Sequence, residues 1–135
     1  MVVHGRKLPL PGAVVRRAVE TVLRGERREG LISITFLGRD AIRRLNAEHK
    51  GRNRPTDVLA FPLQGPGGET IGDVYICPAV AREHARALGI SARQELIRLV
   101  VHGTLHALGH QHPEGAGRTR SAMWRRQERY VEALA

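Results

Sequence analysis

Between Leu31 and Leu37 the chain alternates Ile32, Ile34 and Phe36 with Ser33 and Thr35, the period of a strand that buries one face. Ahead of it, Val14, Val15, Ala18, Val22 and Leu23 recur at helical spacing after Pro11 and predict a helix ending at or near Gly25. A short first strand is expected at Val2 to His4, and a second helix from about Asp40 with Ile42 and Leu45 turned inward. Further strands read at Val58 to Phe61 and Ile71 to Cys77, joined across the loop-forming Gln64 to Glu69. Pro78 then opens a helix that stops at Leu88-Gly89-Ile90.

The next helix announces its own start. Ser91 and Gln94 form a Ser-x-x-Gln capping box ahead of a long apolar stretch. Leu96, Ile97, Leu99, Val100, Val101, Leu105 and Leu108 cover nearly every direction around the axis, which predicts a helix buried inside the domain. A last amphipathic helix is expected over Arg118 to Leu134, packing through Met123, Trp124, Gln127, Tyr130 and Val131. The order β-α-β-α-β-β-α-α-α implies an α+β fold: one domain over 1–135, with a small mixed sheet covered by helices.

Charge then narrows the partner. The 135 residues carry 22 Lys plus Arg against 13 Asp plus Glu, a formal charge of +9, which favours a polyanion such as RNA or DNA. Only Lys7 and Lys50 are lysine, so the basic face is made of arginine, which grips phosphate with two prongs. Of the arginine clusters, Arg16 with Arg17, Arg43 with Arg44 and the C-terminal group from Arg118 read as solvated helix faces. Two Phe, two Tyr and one Trp are too few for a broad base-stacking platform, leaving backbone electrostatics to dominate. One cysteine, Cys77, excludes an internal disulfide, and no signal peptide or long apolar span is evident. A cytoplasmic protein without membrane association is expected.

Residues 102 to 112 read His-Gly-Thr-Leu-His-Ala-Leu-Gly-His-Gln-His. On a helix, His102 and His106 lie one above the other and can reach one cation. Gly109 can turn the chain in a left-handed conformation so that His112 completes the triangle. Three imidazoles leave a fourth position open, as in a catalytic zinc site. His110 lacks this register and reads as a surface or supporting residue. The spacing is zincin-like, yet Gly103 stands where zinc peptidases place the glutamate that activates water. Peptide hydrolysis is therefore disfavoured. Gly103 itself implies either close approach of a ligand to the backbone or tight helix packing.

A second constellation runs from Leu45 to Pro62. Lys50, Arg52 and Arg54 precede a rigid Pro55-Thr56-Asp57 turn and a strand, an arrangement that places Lys50 or Arg52 over a phosphate while the strand lies along an extended chain. Read without the histidines, it is a solvated basic loop.

With both segments together, the chain resembles the YbeY family of bacterial rRNA maturation factors. The most specific matches are His-Gly-x-Leu-His-x-x-Gly-x-x-His at 102 to 112, Asn46 through Pro62, and Ile71-Gly72-Asp73 to Ile76-Cys77-Pro78. The resemblance implies a metal-dependent endoribonuclease specific for single strands, with one Zn2+ on His102, His106 and His112. It also implies a process, maturation of the small-subunit 16S rRNA 3′ end and ribosome quality control, and partners among ribosomal proteins and an assembly GTPase. Two positions depart from the family pattern: Lys50 stands where an arginine is usual, and Gln111 where an aspartate is usual. Lysine keeps the charge but loses the planar grip, so phosphate orientation is looser unless Arg52 compensates. Gln111 offers no carboxylate, leaving Asp57 and Asp73 as supporting candidates, though both read first as residues that bound strands. Loss of His106 is expected to abolish metal binding and cleavage together, with Lys50 neutralising charge on the phosphate. The attacking group is either water at the ion or the RNA 2′-hydroxyl. A non-enzymatic, zinc-stabilised rRNA-binding assembly factor and, more remotely, a metallopeptidase are the alternatives.

Overall fold

The computed structural model describes residues 2–4, 8–110 and 121–134. In chain order the elements are β1 (Val2–His4), α1 (Gly12–Gly25), β2 (Gly30–Phe36), α2 (Arg39–Lys50), β3 (Val58–Gln64), β4 (Thr70–Ile76), α3 (Pro78–Leu88), α4 (Ala92–Ala107) and α5 (Ala122–Leu134). This is the order expected from the hydrophobic pattern. Strands β2 and β4 begin and end one residue earlier than expected, and β3 runs on through Pro62 to Gln64. Pro62 cannot donate to a ladder, and it is accommodated because β3 is an outer strand.

The sheet order is β1-β2-β4-β3. Strands β1, β2 and β4 run parallel, and β3 returns antiparallel to β4 through a tight connection in which Gly65 N–H donates to the Glu69 carbonyl over 2.9 Å. The mixed sheet inferred from the sequence is therefore present. Its register puts Ile32, Ile34, Phe36, Val74 and Ile76 on one face, packed with Val15, Ala18 and Val19 of α1 and Leu96, Leu99 and Val100 of α4. Leu59, Phe61 and Tyr75 turn to the other face and join Ile42 and Leu45 of α2. Each aliphatic side chain withdrawn from water in these layers stabilises the fold by about 1.5–3 kcal/mol.

Helix α4 is the centre of the domain, which is why its sequence is apolar nearly all round. The Ser91 hydroxyl accepts the Gln94 N–H over 3.0 Å, the N-terminal cap that the capping box implied. At the other end Gly109 adopts φ 99°, His110 N–H donates to the Leu105 carbonyl and Gly109 N–H to that of His106. This paired bonding is a Schellman stop, and only the left-handed glycine permits it without strain. Gly103 is explained by packing: a Cβ there would overlap the Val74 Cγ1 methyl of β4. Of the two readings the sequence left open, close seating of the helix on the strand accounts for this glycine.

Helix α5 closes α4 from the far side, with Met123, Gln127 and Val131 buried. The Ser121 hydroxyl accepts the Trp124 N–H at 3.1 Å, which caps the helix there. The expected start at Arg118 lies outside the described residues. Among these, no helix is long and apolar enough to cross a membrane.

Candidate metal and phosphate site

The C-terminal half of α4, the outer strand β3 and the segment between α2 and β3 enclose a cavity of about 710 Å³. His102 and His106 line it, together with Lys50, Arg52, Arg54 and Asp57. The structure thus brings both sequence constellations to one place, although more than forty residues separate them in the chain.

The two imidazoles converge. Their ring centroids are 4.6 Å apart with the planes at 69°. His102 is only 5% exposed, and its Nδ1 lies 2.6 Å from Oε1 of Gln127, itself 1% exposed. The hydrogen-bond chain fixes the proton on this ring. The Glu128 carboxylate can only accept, so the Gln127 amide must turn its NH2 toward Glu128, over 3.0 Å, and its oxygen toward His102. An amide oxygen can only accept in turn, so His102 Nδ1 carries a hydrogen and donates it. An ion on this ring would be held through Nε2, with Gln127 as the outer partner that orients the imidazole. His112, the third expected ligand, and Gln111 lie outside the described residues.

The basic side of the cavity is equally anchored. Gly51 ends α2 with φ 69° and turns the chain. The buried Asn46 amide donates to the Arg54 carbonyl over 2.9 Å, and Arg43 binds the Asn53 side chain over 2.8 Å. The segment is therefore tied to α2 by side-chain hydrogen bonds rather than only solvated. Lys50 Nζ stands 5.4 Å from the Phe61 ring centroid, within cation–π range. Arg16 and Arg17 are exposed on α1, as expected of a solvated face.

Asp57 and Asp73, the two supporting candidates, part company. Asp57 lines the cavity, lies 3.3 Å from His84 Nδ1 and immediately precedes β3, its carbonyl accepting the Cys77 N–H. Asp73 sits in β4 opposite Phe61 and Ser33, outside the cavity lining. His110 acts as a supporting residue: its Nε2 meets Glu26 Oε1 at 2.6 Å. Glu26 also binds Arg126 at 3.0 Å and accepts from the Tyr130 hydroxyl. Burial alone would push this carboxyl up, but the hydrogen bonds from Tyr130, Arg126 and His110 outweigh it and hold it below its ordinary range. Burial and the Glu26 contact push the Tyr130 phenol up to about 12.

Residues 11–135 match the family described as Endoribonuclease YbeY. The chain belongs to the YbeY family. The Endoribonuclease YbeY of Thermotoga maritima is 32% identical over 120 residues, covering 89% of this chain and 78% of the relative. That of Chlorobium luteolum is 37% identical over 126 residues, covering 93% and 90%. The solution structure of TM1509 from Thermotoga maritima superimposes with a TM-score of 0.68 at 29% identity, covering 99% of this chain and 89% of the other. The α+β fold read from the sequence is thus a YbeY fold.

Three features of the site escaped the sequence reading. The hydrophobic pattern puts Gln127 on the packing side of the last helix, but no local pattern signals its pairing with a histidine 25 residues earlier. The Glu26 cluster joins residues up to 104 positions apart. A group formed by Asp57, His84 and Glu95 brings metal-ligand atoms within 4.8 Å of one another, and it too is assembled only by the tertiary fold.

Proposed function

We propose that this YbeY-family chain is a zinc-dependent, single-strand-specific endoribonuclease that processes rRNA, including the 3′ end of small-subunit 16S rRNA, and serves ribosome quality control in the cytoplasm. The observation that carries this reading is the convergence of His102 and His106 with Lys50, Arg52 and Arg54 on one cavity. The residues present suit the metal: two imidazoles on one helix face, one oriented through its Nδ1 by Gln127, with His112 three positions past the Gly109 turn as third ligand. When bound, zinc supplies Lewis-acid charge and lowers the pKa of water near it.

The chain's own groups do the rest. Lys50 and Arg52 bind the phosphate and offset negative charge that grows on its non-bridging oxygens. Lysine does so as a point charge, and arginine adds a planar grip. The outer strand β3 flanks the cavity and leaves room for an extended single strand, while the buried floor of α4 keeps the histidines in place. No carboxylate stands beside His102 at position 103, so the water-activating group of zinc peptidases is missing, which favours a phosphodiester over a peptide. Ribosomal proteins of the small subunit and assembly factors are the partners that the family membership suggests.

The test compares parent, His106→Ala and Lys50→Ala chains, purified alike, on single-stranded and duplex RNA with and without chelator. The parent should cut single strands, the His106 variant should not, and the Lys50 variant should cut more slowly. Equal cleavage by His106→Ala would overturn the reading. Tight binding with no scission by the parent would favour a non-enzymatic assembly factor. A cyclic phosphate at the product end would show attack by the 2′-hydroxyl, and a simple phosphate attack by water.

A further inference from the structure

Three carboxylates gather around the N-terminal half of α4 with one fixed cation among them. Arg98 Nη1 contacts Glu95 Oε1 at 3.1 Å, while its Nε and Nη2 hold Glu128 at 2.9 and 2.8 Å. One guanidinium therefore serves two carboxylates. Burial pushes the Glu95 carboxyl up against the pull of Arg98, and Asp57, the third carboxylate, adds to that push. Glu95 is the most enclosed of the three, at 5% exposure. A buried carboxylate that shares its arginine with a second carboxylate is a costly arrangement unless further positive charge enters.

A cation could supply it, and His84 offers that cation a further donor atom. His84, on α3, places Nδ1 3.3 Å from Asp57 Oδ2. That matches the roughly 3.4 Å edge of a tetrahedron whose ligands lie about 2.1 Å from a central ion. One donor atom each from Asp57, His84 and Glu95 lie within 4.8 Å of one another, so small side-chain rotations would close the set. The donors come from three separate parts of the fold: the segment before β3, helix α3 and the first turn of α4. We propose that Asp57, His84 and Glu95 form a second divalent-cation site, distinct from the histidine pair, that ties the basic segment to α3 and α4.

The donor set indicates the cation class. An imidazole with two carboxylates suits a first-row transition metal such as Zn2+ or Mn2+, whereas Mg2+ and Ca2+ prefer oxygen throughout. Its place on α4 indicates the role. Glu95 precedes His102 by seven residues, two turns along the same face and about 10 Å along the axis. Paired catalytic ions stand only about 3.5–4 Å apart. The second ion is accordingly structural: through Asp57 it steadies the chain that carries Arg52 and Arg54 into the cavity. This inference does not rest on the proposed nuclease reading, since it concerns ligands that reading leaves unused.

Calorimetric titration of the full chain with Zn2+ tests it, using His106→Ala to silence the histidine pair. The His106→Ala chain should still bind one ion, and adding His84→Ala should weaken that binding by more than the roughly 10–100-fold that loss of an outer partner costs. His84 is half exposed, so its replacement leaves the core untouched. Independently, Mn2+ added to the His106→Ala chain should broaden the NMR signals of the His84 imidazole. Unchanged zinc affinity on removing His84, or His84 signals indifferent to Mn2+, would overturn the second site. Failure of RNA cleavage alone would leave it standing.

Discussion

His102 Nδ1 and Gln127 Oε1 are 2.6 Å apart in the interior, and the Glu128 carboxylate behind Gln127 decides which of the two atoms carries the hydrogen. Nδ1 is thereby committed as a donor, so that an ion on this ring is met through Nε2. Gln127→Ala should release this lock and weaken zinc binding by about 10–100-fold. Nitrogen-detected NMR of the metal-free parent should show the Nδ1–H tautomer of His102. A ring with no hydrogen on Nδ1 would disprove the arrangement.

Replacing Gly103 tests how α4 is seated. Alanine favours the helix by about 1 kcal/mol over glycine, yet the added methyl would overlap the Val74 side chain. Gly103→Ala should therefore destabilise the chain by about 1–3 kcal/mol in denaturant unfolding, as overpacking does. Combining it with Val74→Ala should recover part of that loss. Additive destabilisation would show that the close approach is not the cause.

Much of this was legible in the sequence for identifiable reasons. Alternation at Leu31 to Leu37, the Ser91 cap and the Gly109 turn are local signals, and local physics fixes β2 and both ends of α4. The histidine spacing pointed to a shared site because i and i+4 positions meet on any helix. What stayed hidden depends on tertiary distance. Nothing near Glu26 in the chain shows that it gathers His110, Arg126 and Tyr130, and nothing near Glu95 shows that Asp57 and His84 come beside it. Strand β3 ran past its expected end because Pro62 reads as a breaker until the strand is known to lie at the sheet edge.

Glu26 should make stability depend on acid in a defined direction. Its folded carboxyl lies below the ordinary value of 4.5, so its contribution is present in full above the unfolded value and is lost as pH falls through the folded one. Thermal unfolding should show Glu26→Gln less stable than the parent at neutral pH, with the gap closing in acid below that value. A gap independent of pH would mean that the charge on Glu26 contributes nothing.

The basic rim of the cavity predicts a salt signature. Each phosphate contact to a single strand adds about 0.7 to the slope of log affinity against log salt. Lys50→Ala and Arg52→Ala should each lower that slope by about this amount for single-stranded RNA, measured by fluorescence anisotropy. Arg16→Ala, on the exposed face of α1, should leave it unchanged. Equal effects from all three would mean that binding follows net charge and not this cavity.

Anomalous diffraction from crystals grown with zinc addresses the metal centre most directly. A peak about 2.0–2.1 Å from Nε2 of His102, shared with His106 and lost in His106→Ala crystals, is the expected result. Zinc density found only elsewhere, with none between these two rings, would contradict the account.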